Sequence, residues 1–170
     1  MATPFSRLAR RVAMAFGLAR QTADTDETKA TPTLQVALPG GEIRSDVPLM
    51  QLYGFASRPV PGSDIVVAFL SGDRTRGVAV AAGDQRGRPT DLQPGEVTVY
   101  HPRTGSRIDL KADGSVAISP ANKKLTIAAD IAVSGKITAT GDVVANGVSL
   151  DTHKHSGVKS GSDTSGAPVS

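Results

Sequence analysis

Two of the chain's three histidines stand two residues apart near its C-terminus, in Thr152-His153-Lys154-His155. Imidazole nitrogen is a common ligand for transition metals. In an extended strand, residues i and i+2 project from one face, so His153 and His155 aim the same way while Lys154 points to solvent. One such pair does not complete a site, because zinc centres use three or four protein ligands. The chain has no cysteine, no well-spaced carboxylate adjoins the pair, and His101 lies far upstream. On a three-fold axis the arithmetic changes. Two histidines from each of three chains supply six nitrogens in two layers, an octahedron that suits iron or another first-row transition metal better than tetrahedral zinc. A site of that kind has no open position and is structural: ligation orders a tip that lacks a core. The competing reading of an H-x-H pair is an ordinary solvated surface pair, and what weighs against it here is the element that precedes it.

The tip itself, residues 151–170, has almost no large apolar residue beyond Val158 and Val169, and its composition alone is that of a disordered tail. Before it, residues 101–150 read as short strands. Ile108 and Leu110 alternate with Asp109 and Lys111, Asp113-Gly114 marks a turn, and Val116 and Ile118 alternate up to Ser119-Pro120. Leu125, Ile127, Ala129, Ile131 and Val133 then keep a two-residue period, and Gly135, Gly141 and Gly147 follow at regular intervals as corners. Each strand has one narrow apolar face, with no helix and no second sheet to cover it. Such a segment alone does not offset an ordering cost of about 1–2 kcal/mol per residue. Three copies wound about one axis place those faces together and leave no free strand edge. The expectation is an intertwined, triple-stranded β-helix in a homotrimer; the alternative is a meander packed on the preceding domain.

That preceding domain, residues 32–100, reads as a small all-β module. Leu34, Val36 and Leu38 alternate before the turn Pro39-Gly40-Gly41; Ile43 to Tyr53 is strand-like but interrupted by Pro48. After Pro59, Pro61 and Gly62 come a buried strand over 64–70, the turn Ser71-Gly72-Asp73-Arg74, and a strand over 77–81. Four or five short strands in this length fit a closed barrel of OB type. Ahead of it, residues 4 to about 20 predict an amphipathic helix. Phe5, Leu8, Val12, Phe16 and Ala19 recur at three- and four-residue spacing, with Arg7, Arg10 and Arg11 between them. A basic amphipathic helix can lie on a membrane, but an arm this short more often docks on a partner or on its own trimer. The polar stretch 21–31 predicts a linker. The domains expected are thus 1–31, 32–100, 101–150 and 151–170.

Composition narrows the function. Aromatics are 4% of the 170 residues, with no Trp, while Gly contributes 18 and Pro 11. A chain so poor in large side chains must pack small ones closely or gain buried area from partner chains. The net charge of +3 is local: Arg7, Arg10, Arg11 and Arg20 face no acid in the first twenty residues, and the remainder carries 15 basic and 16 acidic residues. A nucleic-acid binder carries its basic surface on the folded domain, with interleaved aromatics, so no nucleic-acid partner is expected. There is no disulfide framework, no apolar run of about 18 residues, and no signal-peptide pattern at the N-terminus. Assembly in the cytoplasm is the expectation.

Taken together, several stretches resemble the Mu-type members of the phage baseplate assembly protein V family, the central spike proteins of contractile tails. They are Ile65 to Arg74, Thr140-Gly141-Asp142-Val143, Gly147-Val148-Ser149-Leu150, and above all His153-Lys154-His155 with Ser156-Gly157 and Gly166-Ala167-Pro168. The resemblance implies an OB-type domain, a trimeric β-helix and a metal-capped apex with one iron ion per trimer, which assigns His153 and His155 as its ligands. It also implies a virion protein at the tip of the tail baseplate, attached to the baseplate hub, that meets the host outer membrane when the sheath contracts. Two rivals are weighed against it. A metal-dependent envelope hydrolase needs an open coordination position and a general base; only Asp151 and Asp163 are near, without a motif, and no Gly-x-Ser-x-Gly elbow exists. No catalytic residue is therefore expected, and the protein is not read as an enzyme. A trimeric receptor-binding fibre or adhesin normally carries a recognition head with exposed aromatics, and the last twenty residues contain none.

Overall fold

Alternation decides the first half of the chain. The computed structural model describes residues 4–157, 159 and 161, and it divides into one unit up to Leu125 and a second from Thr126. In the first unit, five strands form one antiparallel sheet in the order β3-β2-β1-β4-β5: β1 (Phe16–Gln21), β2 (Thr33–Leu38), β3 (Glu42–Pro48), β4 (Asp64–Phe69) and β5 (Gly77–Gly83). Every second residue of β2 and β4 is buried, namely Leu34, Val36, Leu38, Ile65, Val67 and Phe69, and they meet Ala19, Val47, Leu49 and Ala79 in a single core. The sheet curls, so that the end of β3 reaches β5: Leu49 bridges Ala79, and Met50 N donates to Ala79 O at 2.9 Å. The turn after β2 uses Gly40 and Gly41 at φ +88° and +80°, where a side chain is disfavoured.

The N-terminal segment differs from its expected form. The helix α1 spans Pro4–Ala13 and stops well before residue 20, because Phe16–Gln21 is the central strand of the sheet, paired with β2 on one side and β4 on the other. The apolar spacing of Phe16 and Ala19 had suggested helix. In the strand Ala19 and Gln21 face the core, with 3% and 1% exposure, while Phe16 and Leu18 face outward. Gly17 permits the close approach: a Cβ there would lie 2.9 Å from Leu38 Cδ2 and 3.1 Å from Phe69 Cε2.

The polar stretch 21–31 is likewise more than a linker. Gln21 Nε2 donates to Ala23 O, Thr25 Oγ1 and Pro59 O, Asp24 pairs with Arg58 at 2.6 Å, and Asp26 bridges Thr33. Its polar groups satisfy the backbone and so hold the segment against the sheet.

Three further strands form a second sheet in this unit, in the order β6-β7-β8: β6 (Val97–Tyr100), β7 (Arg107–Leu110) and β8 (Val116–Ser119). Val97–Tyr100 therefore pairs away from the five-stranded sheet, although the composition had grouped it with residues 32–100. One face of the new sheet is polar. Asp109 is buried beside Arg107, whose Nε lies 2.9 Å away. Arg107 also donates to both oxygens of Asp91, at 2.9 and 2.8 Å, which holds that carboxyl down at about 2. The other face is apolar. Val97, Leu110 and Val116 lie in one cross-strand row, and Val99, Ile108 and Ile118 in the next. All six are between 44% and 61% exposed.

Beyond Ser119 the expected run of strands is largely missing from the single chain. Residues 120–143 contain no strand, although Ile127, Ile131, Val133 and Ile137 keep their alternation and stay 49–72% exposed. A strand is defined by a hydrogen-bonded neighbour, and among the described residues only Val143, at the end of this stretch, has one, the amide of Leu150. Among the described residues, no helix is long and apolar enough to cross a membrane.

The assignment of Gly17 to a packed strand predicts a sign. Gly17→Ala should destabilise the first unit by about 1–3 kcal/mol, the range for overpacking a filled core, read from the midpoint of chemical unfolding. Stabilisation, the usual result of Gly→Ala within a helix, would contradict the strand.

Candidate metal centre

The second unit builds a small device at the end of the chain. Strands β9 (Val144–Ala145) and β10 (Val148–Ser149) pair antiparallel, Val148 opposite Ala145 and Ser149 opposite Val144. Between them Asn146 and Gly147 have φ +50° and +81°. Two consecutive positive φ values define the type I′ turn, whose twist matches that of the flanking strands and which Asn-Gly adopts most readily. Leu150 N donates to Val143 O at 2.9 Å and extends the hairpin by one rung.

The chain then turns, and each link of the turn is held from the hairpin. Asp142 Oδ1 accepts from Asp151 N at 3.1 Å. Asp142's carboxyl is lowered first by a hydrogen bond from the Ser149 side chain and further by backbone amides. Ser149 Oγ accepts from Thr152 N at 2.9 Å. His153 Nδ1 lies 2.8 Å from Ser149 O. A carbonyl oxygen only accepts, so this nitrogen carries the proton and the lone pair is left on Nε2. The ring of His155 stands edge-on to that of His153, with centroids 5.1 Å apart. Both histidines are exposed.

The hairpin end therefore brings together the two residues singled out from sequence, and its carbonyl selects which nitrogen of His153 can ligate. The donor set fits a metal that accepts imidazole, provided that other chains complete it. Among the described residues, no group of three or more His, Cys, Asp or Glu could hold an ion within one chain. His101 serves a different purpose: its Nδ1 accepts from Arg103 N at 3.3 Å and Thr104 N at 3.2 Å, capping the β6–β7 turn. Of the acids considered for catalysis, Asp151 is tied through its amide to Asp142. Asp163, Val158, Val169 and Gly166-Ala167-Pro168 lie outside the described residues. Sequence reasoning named Asp142 and Ser149 only within the stretches that carry the resemblance, gave them no role, and passed over Asn146. The Asn-Gly pair between short apolar runs was the available signal; the Asp142 and Ser149 contacts had none, because nothing in spacing alone places them beneath His153.

Comparison with known proteins matches two stretches of the chain. Residues 21–86 match the family model described as Bacteriophage Mu Gp45, N-terminal, and residues 147–169 match the GpV Apex motif, which contains both histidines and the Gly147 turn. The chain is 34% identical to the baseplate puncturing device gp45 of Escherichia phage Mu, over 91% of this chain and 89% of that protein. It is also 34% identical to the Mu-like prophage FluMu protein gp45 of Haemophilus influenzae, over 78% of this chain and 76% of that one.

Gly147→Ala places a side chain in the left-handed region at φ +81°, which costs about 1–2 kcal/mol. The expected result is a rise of roughly 5- to 30-fold in hydrogen exchange at the Leu150 amide, with the first unit unaffected. Unchanged exchange at Leu150 would mean that the turn does not hold the apex.

Proposed function

The chain belongs to the family of the Mu baseplate puncturing device gp45, and from that premise we propose how it acts as the central spike of a contractile phage tail. Its place is the tail baseplate of the virion. In this reading three copies assemble. Their five-stranded sheets form OB-type collars that attach to the baseplate hub, residues from about 101 to 150 wind into a triple-stranded β-helix, and the apex closes on one iron ion. The spike crosses the host outer membrane when the sheath contracts.

The observation that carries the trimer is the apolar face of β6–β8. Six residues of Val, Ile and Leu are ordered in two rows and remain about half exposed in the single chain. Fully burying each such side chain is worth about 1.5–3 kcal/mol, and Ile127, Ile131 and Val133 repeat the alternation further along the sequence. A monomer that exposes such a face is prone to association, and winding around a common axis supplies both the cover and the missing strand partners for residues 120–143.

At the tip, His153 and His155 of three chains would hold the ion through six imidazole nitrogens, a saturated set with no position left for substrate water. When bound, the ion supplies cross-linking of the three chain ends rather than Lewis-acid chemistry. Within each chain, Ser149 O fixes the His153 ring, Asp142 fixes the turn before it, and the Asn146-Gly147 turn fixes the hairpin beneath both. The role proposed is mechanical and not enzymatic. A narrow rod concentrates force on a small area, and its ends, where fraying would begin, are pinned.

His153→Ala combined with His155→Ala should reduce bound iron from one per trimer to background, while the unfolding midpoint of the body stays at the parent value. Retention of iron would reject these ligands. The parent protein should bind outer-membrane vesicles equally with and without surface glycan. Dependence on a defined glycan would instead favour a receptor-binding fibre, and hydrolysis of the envelope would favour an enzyme.

A further inference from the structure

The chain has only two asparagines, Asn122 and Asn146, and their surroundings differ in what decides whether an asparagine lasts. The side-chain carbon Cγ of Asn is an electrophile, and the backbone nitrogen of the next residue is the nucleophile that can reach it. Asn122 is engaged: its Oδ1 accepts from Lys124 N at 3.1 Å, and the residue after it, Lys123, carries a side chain beside the amide. Asn146 is exposed, and among the described residues neither its side chain nor the Gly147 amide makes a hydrogen bond. A Cβ at Gly147 would meet nothing within 4 Å, so the approach to its nitrogen is open.

The turn that holds these two residues is also weakly braced. Strands β9 and β10 are two residues each, with one further rung from Leu150 N to Val143 O. Val143, Val144 and Val148 are 44–61% exposed, so little apolar burial holds the hairpin shut. Backbone of this kind opens locally at low free energy. Once open, a glycine with no Cβ lets its nitrogen approach a neighbouring carbon that a larger residue would crowd.

We infer that Asn146 is a site of spontaneous backbone modification, with water as the co-reactant. The Gly147 nitrogen bonds to Asn146 Cγ, the bond from Cγ to the side-chain nitrogen breaks, and ammonia leaves with the proton that the Gly147 amide gives up. The cyclic imide so formed takes up one water. Cleavage of the new bond at Cγ gives an aspartate on the original backbone. Cleavage at the main-chain carbonyl of Asn146 gives an isoaspartate, whose backbone runs through Cβ and Cγ and is one carbon longer. Nothing is oxidised or reduced, and the reaction needs neither a second copy nor an ion. The extra atom falls in a two-residue turn whose type fixes the register of its strands. The isoaspartyl form therefore loses the pairing of Val148 with Ala145 and of Ser149 with Val144, and with it the Leu150 rung and the Ser149 carbonyl set against His153. The aspartyl form changes charge alone, since Asp-Gly adopts the same turn as Asn-Gly.

Purified full-length protein, kept warm at neutral pH and digested with trypsin at intervals, reads the reaction directly. The peptide spanning residues 137–154 should accumulate the amide-to-acid mass change, chiefly as the isoaspartyl isomer that a protein isoaspartyl methyltransferase labels, while the peptide spanning 112–123 keeps the Asn122 amide. Hydrogen exchange on the aged sample should show protection of the Leu150 amide lost in isoaspartyl chains and kept in aspartyl ones. Conversion of both asparagines at one rate, or of neither, would overturn the assignment of the site. Leu150 protection that survives in isoaspartyl chains would overturn its effect on the hairpin.

Discussion

The structure depends on one unmet requirement: an alternating strand must hide its apolar face and pair its backbone. In strands β1 to β5 the requirement is met within the chain, by a shared core. Leu34, Val36 and Leu38 face Ile65, Val67 and Phe69 across a curled sheet, with Gly17 thin enough to admit Leu38 and Phe69. From Val97 onward it is met by degrees less. The β6–β8 sheet pairs its own backbone but covers only its polar face, and residues 120–142 form no strand and leave their large apolar side chains exposed. The same side-chain pattern thus yields a folded core where two faces oppose one another, and exposed apolar rows where the chain supplies no opposing face.

That gradient accounts for what could be read without coordinates. Strands β2, β7 and β8 were legible from their alternation, and β4 and β5 as short apolar runs bounded by turn residues. The strand β1 was not: Phe16, Ala19 and the preceding Phe5, Leu8 and Val12 fall on a helical period, and only tertiary contact shows that Gly17 and Ala19 lie in a sheet. The segment 21–31 looked like a linker because its residues are polar, whereas Gln21 and Thr25 use that polarity to hold the backbone of Pro59. Strand β6 was grouped with the wrong sheet because its partner β7 lies past a turn capped by His101, a role that composition does not reveal.

The apex shows the same relation at smaller scale. The H-x-H spacing, together with its place after the predicted rod, singled out His153 and His155 as candidate ligands. Their presentation depends on residues with no metal chemistry of their own. Asn146 and Gly147 set the hairpin twist, Asp142 holds the amide of Asp151, and the Ser149 carbonyl accepts from Nδ1–H, which leaves the lone pair on Nε2. Among the described residues of this polar end, order comes from backbone geometry and side-chain hydrogen bonds rather than from an apolar core.

The central claim is that the exposed face of Val97, Val99, Ile108, Leu110, Val116 and Ile118 is an interior completed by two further copies. Sedimentation equilibrium of the purified protein, beside a variant carrying Ile108→Asp and Ile118→Asp, tests it most directly. The account predicts the mass of three chains for the parent at all accessible concentrations. For the variant it predicts the mass of one chain, with the five-stranded sheet still folded by circular dichroism. A parent that sediments as a single folded chain, or a variant that remains trimeric, would contradict it.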